Sequence, residues 1–326
     1  MRTYAIMKNP GYTRVSFQES TRLAILEATA LGLGEDIKYQ EICGIPYILL
    51  NREAPHDLFF DLSFAYAVFE LDGEKLIPLP RPHDYFIQPE LSSLLKYQGK
   101  TNEFFTRFML NLSSNYTKSE SSLHILDPMA GKGTTLYEAL IKGHHAYGVE
   151  MDQKLVQESN TYMKKYLETS KIKHQTHTER ISATTDTGRF TATRHQIKIA
   201  GTHQFEMLDA DTRHISHLFK KNFFDLIVAD LPYGVQHGSK TGAKKPKGNI
   251  TRNPLSLIEE SLPGWTKVLK PGGVITLAWN AFLLKKEDLA DLLEDHDFTL
   301  PDFDLDFKHR VDQAIDRDLI IGILQK

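Results

Sequence analysis

Apolar positions along the chain follow two rhythms, and the change comes near residue 80. Before it, Tyr4-Ala5-Ile6-Met7 is a short apolar run closed by Asn9-Pro10-Gly11, expected as a strand. Over residues 19–33, Leu23, Leu26, Ala30 and Leu33 recur at helical spacing, and Gly32 and Gly34 mark the stop. Residues 42–50 and 64–71 read as strands, the second turning at Asp72-Gly73. The order strand, helix, strand, strand predicts a small α+β module of ferredoxin-like character over residues 1–80. Pro78, Pro80, Pro82 and Pro89 then mark a linker, and residues 81–115 lead through a helix at 104–112 into the remainder.

From residue 116 to 326 strands alternate with helices, the mark of a doubly wound parallel sheet. Strands are expected at 124–126, 146–150, 205–208, 223–229 and 274–278. Helices are expected at 134–141, 152–167, 256–269 and 286–293, the third stopped by Lys270-Pro271-Gly272-Gly273. Two final strands near 303–307 and 319–324 complete the sheet. A polar insert rich in Thr, His and Lys interrupts the alternation at about 165–203, and a second loop, 238–248, holds Lys240, Lys244, Lys245 and Lys247.

Composition narrows the class. Hydrophobic residues at 41% and charged residues at 25% are those of a globular protein. No run approaches the roughly 20 apolar residues of a membrane span, and no signal-peptide core follows Met1-Arg2-Thr3-Tyr4-Ala5, so the cytoplasm is the expected compartment. The single cysteine, Cys43, excludes an intrachain disulfide and a cysteine-rich zinc site; between Ile42 and Gly44-Ile45 it reads as a small buried hydrophobe. No metal is expected, because no ligand cluster stands out. A net charge of −3 makes no global case for nucleic acid. The local case rests on the insert, where Lys164, Lys165, Lys171, Lys173, Arg180, Arg189, Arg194 and Lys198 face only Glu168, Glu179 and Asp186, and on the second basic loop.

Candidate chemistry gathers at the expected strand ends. Asp230-Leu231-Pro232-Tyr233-Gly234 follows the apolar run 223–229, at the position where open α/β sheets bind ligands. A carboxylate, backbone carbonyls and an aromatic face suit a planar group carrying an exocyclic amine, although Asp and Pro also occupy ordinary turns. After the first strand of this region comes Asp127-Pro128-Met129-Ala130-Gly131-Lys132-Gly133-Thr134-Thr135, a glycine loop opening a helix. A P-loop would need glycine at Leu126, and a dinucleotide fingerprint would need glycine at Leu136. S-adenosylmethionine (SAM) remains, its ribose hydroxyls met by Glu150, about 20 residues beyond the loop. Asp211, or Asp209, is the candidate for the adenine amine, in a stretch that also suits a helix cap.

These motifs, in this order, resemble those of amino-directed SAM methyltransferases, and more narrowly the RNA methylase family that includes the THUMP-associated tRNA guanosine-N2 methyltransferases. The resemblance runs from about Tyr97 to Lys326; no THUMP domain is recognised in the first 80 residues. It implies a Rossmann-like seven-stranded sheet with the last strand antiparallel. It also implies a cofactor site of Lys100, Thr101, Asn102, Asp127, Pro128, Met129, Ala130, Gly131, Gly133, Thr134, Glu150, Met151, Asp209 and Asp211, and a catalytic set of Asp230, Leu231, Pro232 and Tyr233. Leu231 stands where the family usually has proline, and Ala130 and Lys132 where Cys and Ser are common. The expected activity is methyl transfer to an exocyclic amine of a nucleobase in RNA, first of all guanosine N2 in tRNA. An adenine-N6 methyltransferase on RNA or DNA, a protein-glutamine methyltransferase and a non-catalytic SAM-fold RNA-binding subunit are the alternatives.

Overall fold

The computed structural model describes residues 1–11, 16–82, 84–94, 102–117, 121–185, 188–232, 254–301 and 305–326. The amino-terminal part builds one five-stranded antiparallel sheet. β1 (Arg2–Lys8) leads to α1 (Phe17–Ala30), then β2 (Glu35–Ile42), β3 (Ile45–Arg52), a single 3-10 turn at Asp57–Phe60, β4 (Ala65–Asp72) and β5 (Lys75–Pro78). The strand order is β2-β3-β1-β4-β5. With β1 central, α1 crossing to β2 and the 3-10 turn in place of a second helix, this is the split βαβ arrangement with one added edge strand. One strand reading is corrected: residues 42–50 hold the end of β2, a turn and most of β3, not one strand. Cys43 sits in that turn with φ 52°, ahead of Gly44 at φ 79°, and its side chain is exposed rather than buried. Tight hairpins need positive φ at the turn, and that requirement outweighs the apolar neighbours.

After α2 (Glu90–Ser93) and α3 (Glu103–Ser114) the chain enters a ten-stranded sheet. β6 (His124–Asp127), α4 (Thr134–Ile141), β7 (His145–Glu150) and α5 (Gln153–Thr169) form the first half. The polar insert is regular: β8 (His174–Thr185) and β9 (Gly188–Ile199) form a hairpin whose second strand pairs antiparallel with β10 (His203–Asp209). α6 (Ile215–Leu218), β11 (Phe224–Asp230), α7 (Pro254–Val268), β12 (Leu269–Asn280) and α8 (Lys286–Glu294) follow. β13 (Phe298–Thr299), β14 (His309–Arg310) and β15 (Asp316–Leu324) close the chain.

The strand order is β13-β15-β12-β11-β6-β7-β10-β9-β8, with β14 paired to the start of β15. The pairs β11–β12, β11–β6, β6–β7 and β7–β10 are parallel, and β15 runs antiparallel to β12. The seven strands of a Rossmann-like methyltransferase sheet are all present, widened by the β8–β9 hairpin. A strand pairs with β15 at Phe298–Thr299; of the expected strand at 303–307, residues 305–307 are irregular, and Phe307 packs into the core from a loop. Lys270-Pro271-Gly272-Gly273 lies within β12 rather than ahead of it.

The parallel strands are apolar over most of their middle positions, where both faces are covered. One core gathers Phe108, Leu140, Met163, Phe205 and Val228 under α3, α4 and α5; the other gathers Leu208, Ile227, Trp265 and Leu277 under α7 and α8. α3 also ties the two sheets together. Asn111 donates to Glu27 of α1 (2.6 Å) and to the carbonyl of Asp61 (2.9 Å), and accepts from Lys142 (2.7 Å). Burial raises the Glu27 pKa, and hydrogen bonds from Ser63 and Asn111 oppose that shift.

Candidate active site

The carboxyl ends of β6, β7, β10 and β11 deliver Asp127, Glu150, Asp209 and Asp230 to one edge of the sheet. The loop after β6 is shaped by its glycines. Gly131 has φ 54°, and a Cβ there would meet open space, so its backbone lies bare toward the edge. Gly133 has φ 89° and forms the N-cap of α4, with no side chain of its own to cap the helix. Pro128, Ala130 and Thr134 are buried beneath the loop, and Met129 packs partly into the core. Ala130 N–H donates to the Val149 carbonyl (2.9 Å), which sews the loop to β7.

Glu150 is the strut of the loop. Its carboxylate accepts from Gly131 N–H (2.9 Å) through one oxygen and from Asp152 N–H (2.8 Å) through the other. Burial raises its pKa against those two bonds and a third from Met151 N–H. Of about four acceptor positions on the carboxylate, one is left for a ribose hydroxyl. The next residue, Met151, is 72% exposed, an apolar side chain beside an acid at the sheet edge.

Asp127 carries the largest electrostatic load. It is fully enclosed, accepts from Met129 N–H (3.0 Å), and burial pushes its pKa up to about 7. Asp230 and Glu150 push in the same direction, so the three carboxylates share one negative field. A sulfonium cation relieves such a field, and this is the observation on which the site fits SAM. Asp127, Gly131, Gly133, Glu150 and Met151 are the residues that would hold it.

Asp209 and Asp211 are already engaged. Asp209 accepts from the Thr193 N–H of β9. Asp211 caps the 3-10 turn Thr212–His214 through Arg213 N–H (2.9 Å), and its carboxylate takes the Arg213 guanidinium, which also reaches Glu260 (2.8 Å). Burial acts to raise the Asp211 pKa, but the Arg213 bonds prevail and hold it low.

At the end of β11, Leu231 is buried and its N–H donates to the Ala278 carbonyl of β12 (2.8 Å). The donor that a proline would lack thus extends the sheet by one bond. Pro232 follows, exposed. Asp230 is nine-tenths buried, and the Arg317 guanidinium lies 4.0 Å away. Arg317, itself 6% exposed, is held with its Cζ 4.1 Å above the Phe105 ring of α3. Sequence reasoning missed this pair. The polar stretch 309–318 reads as a salt-bridged hairpin, and β14 pairing with β15 and a Lys308–Asp316 contact (3.3 Å) do form one. Arg317 turns from it toward the edge. Trp279 and Asn280 are packing residues: the indole donates to the Leu284 carbonyl (2.8 Å), and Asn280 ties loop 281–283 to loop 314–316.

Asn102 caps α3 by accepting from Phe104 N–H (2.8 Å). Lys100, Thr101, Tyr233 and the basic loop 238–248 lie outside the described residues.

Residues 95–270, just over half of the chain, match the family UPF0020, RMKL-like, methyltransferase domain. The chain belongs to this family. It is a SAM-dependent methyltransferase of the RNA methylase type, with S-adenosylmethionine as its cofactor. Among solved structures, TrmN from Thermus thermophilus is 12% identical, covers 99% of this chain and 100% of its own, and has a TM-score of 0.50, which shows a shared fold. Magnesium protoporphyrin IX methyltransferase (ChlM) from Synechocystis PCC 6803, solved with bound SAM, is 12% identical over 70% of this chain and 87% of its own, with a TM-score of 0.39. An rRNA methylase from Streptococcus thermophilus is 10% identical over 71% of this chain and 100% of its own, with a TM-score of 0.38. No curated protein matches the chain.

Proposed function

We propose that this methyltransferase acts on an exocyclic amine of a nucleobase in RNA, with guanosine N2 in tRNA as the first candidate. The observation that carries the reading is Asp230, a carboxylate held beside Arg317 at the end of the central strand, in the same acidic field as the cofactor loop. An exocyclic amine is a weak nucleophile because its lone pair is delocalised into the ring. Two acceptors, the Asp230 carboxylate and the Leu231 carbonyl, would take its two N–H bonds and localise that pair. When bound, SAM supplies an electrophilic methyl group on sulfur. Asp230, or water beyond it, receives the proton released on transfer. Tyr233 is assigned the stacking face for the base, which must leave any duplex to reach the edge. Lys100-Thr101-Asn102 is assigned to the methionine end of the cofactor, and Asp209 and Asp211 to the adenine side.

The β8–β9 hairpin supports an RNA substrate. Its pairing continues for five residue pairs past Asp209, from Ile181 with Ala192 to Thr185 with Gly188. At ~3.4 Å per residue it overhangs the edge by roughly 17 Å. Phe190 fastens the overhang by stacking on His214 at 4.5 Å. Arg180 stands at its base and Arg189 near its tip, on a chain of net charge −3.

The test is methyl incorporation from labelled SAM into RNA of cells lacking the protein, read by nucleoside mass spectrometry with wild type and Asp230→Asn in parallel. N2-methylguanosine made by wild type alone is the expected result. N6-methyladenosine would keep the mechanism and change the base. Labelled protein or DNA, with RNA untouched, would overturn the substrate class.

A further inference from the structure

The other end of the sheet carries a second concavity. The connection from β10 back to β11 holds only one 3-10 turn and the four-residue α6, too short to cover the strands it passes. A groove of about 550 Å³ is left over them, lined by His124, His145, Tyr147, Lys198, His203 and Lys220 among others. Its rings form a row. His124 stacks on His145 at 4.6 Å and on Tyr147 at 5.6 Å, and His203 lies 6.2 Å beyond His145. Burial lowers the pKa of all three imidazoles, so the row presents neutral rings and ring N–H groups.

The charge comes from elsewhere. Arg194 also lines the groove, but it is paired with Glu179 (2.7 Å) and Glu206 (2.9 Å). Lys198 and Lys220 are exposed and have no ion pair among the described residues. The row's faces are taken by its own members and, at His203, by Phe86 (5.2 Å), so it offers ring edges and ring nitrogens; bordered by two unneutralised ammonium groups, these match a phosphate joined to a base with hydrogen-bonding edges.

We propose that this groove binds a nucleotide unit, its phosphate on Lys198 and Lys220 and its base against the His–Tyr row. The site is separate from the cofactor edge. His145 opens β7 and Glu150 ends it, five residues or roughly 17 Å apart at ~3.3 Å per residue. The nucleotide comes either from a substrate strand, a source that rests on the RNA reading above, or from the free mononucleotide pool.

The experiment compares the full chain with Lys198→Glu/Lys220→Glu. A labelled single-stranded oligoribonucleotide of about 15 residues is titrated by fluorescence anisotropy. The titration is repeated between roughly 50 and 200 mM salt. AMP and GMP are titrated by calorimetry, and SAM binding reports the integrity of the fold. If the nucleotide is part of a strand, affinity falls at least tenfold and the salt slope drops by about 1.4, from two lost contacts at ~0.7 each. Lysine-dependent binding of AMP or GMP, with the oligonucleotide unaffected, assigns the site to free nucleotide. Unchanged binding of all three probes overturns the proposal. Should the charge reversal also impair SAM binding, Lys198→Gln/Lys220→Gln decides by the same readouts. Methyl transfer is followed in parallel. Absent transfer to RNA with lysine-dependent binding intact would refute the proposed function alone, and normal transfer with lysine-independent binding would refute this site alone.

Discussion

Replacing Asp127 by asparagine should stabilise the protein without cofactor and weaken its hold on SAM. Burial is the main cause of the raised pKa, which moves from 3.8 to about 7. The folded state therefore holds a proton that the unfolded chain releases between those two values. Stability falls as pH rises through that window, and the full cost stands above pH 7. A shift of about three units at ~1.36 kcal/mol each is on the order of 4 kcal/mol. The introduced amide would keep an oxygen for Met129 N–H and carry no charge. The variant should match wild type near pH 4 and exceed it near pH 8. At ~2–4 °C per kcal/mol for a chain of this size, the gain in Tm there is roughly 8–16 °C. Thermal unfolding without cofactor from pH 4 to 8 measures this directly. The counterpart is SAM affinity at pH 8, expected to fall roughly tenfold, because one member of the acidic field is gone (a charge pair near a protein surface is worth ~1–4 kcal/mol). A difference in Tm that does not change with pH would refute the reasoning.

Other expectations follow from the same edge. Glu150→Ala removes the acceptor for Gly131 and the one assigned to the ribose, so SAM affinity should fall roughly 10–100-fold by calorimetry, at ~1.5–3 kcal/mol per charged hydrogen bond. In Gly148→Ala a new Cβ would stand 2.6 Å from Met207 Sδ and 2.9 Å from Ala130 Cβ. The overpacking should cost ~1–3 kcal/mol in urea unfolding and disturb the cofactor loop from beneath. Arg317→Met should lower kcat about tenfold or more with SAM affinity nearly unchanged, and Arg317→Lys should recover only part of it, since a lysine lacks the flat face that rests on Phe105. Shortening the hairpin from 181–192 to a two-residue turn should weaken RNA binding and spare SAM binding; unchanged RNA affinity would remove the hairpin from the substrate path.

Much of the fold was legible because its signals are local. Apolar runs covered on both faces announce parallel strands, so β6, β7, β10, β11 and β12 stand close to where the pattern predicts them. Gly131, Gly133, Glu150 and Asp230 follow such runs directly, and topology carries residues after successive parallel strands to one edge. The hairpin was not legible in the same way. β8 and β9 are polar on most positions, and the short apolar alternation at Ile197 and Ile199 is too brief to stand out from a loop. Their threonines, among them Thr176, Thr178, Thr191 and Thr193, were the available signal, since β-branched residues favour strands.

Arg317 shows what a linear pattern cannot express. β15 is the antiparallel strand, so its first residues, not its last, lie beside the carboxyl ends of the parallel strands. A charged residue opening that strand reaches Asp230 from 87 positions away, and only the pairing of Asn280 with Arg317 and of Asp230 with Ala278 brings them together. Asp211 marks the opposite case: the sequence offered both a ligand acid and a capping turn, and the position of Arg213 against Glu260 engaged it as a cap. By itself the sequence determined the order of the strands, the glycine loop and the acids that follow them, because each depends on neighbours along the chain. The tertiary structure decided which charges meet, how far burial shifts Asp127, and which strands stay uncovered. Those depend on distances between residues that the chain keeps far apart, and on the water that packing excludes.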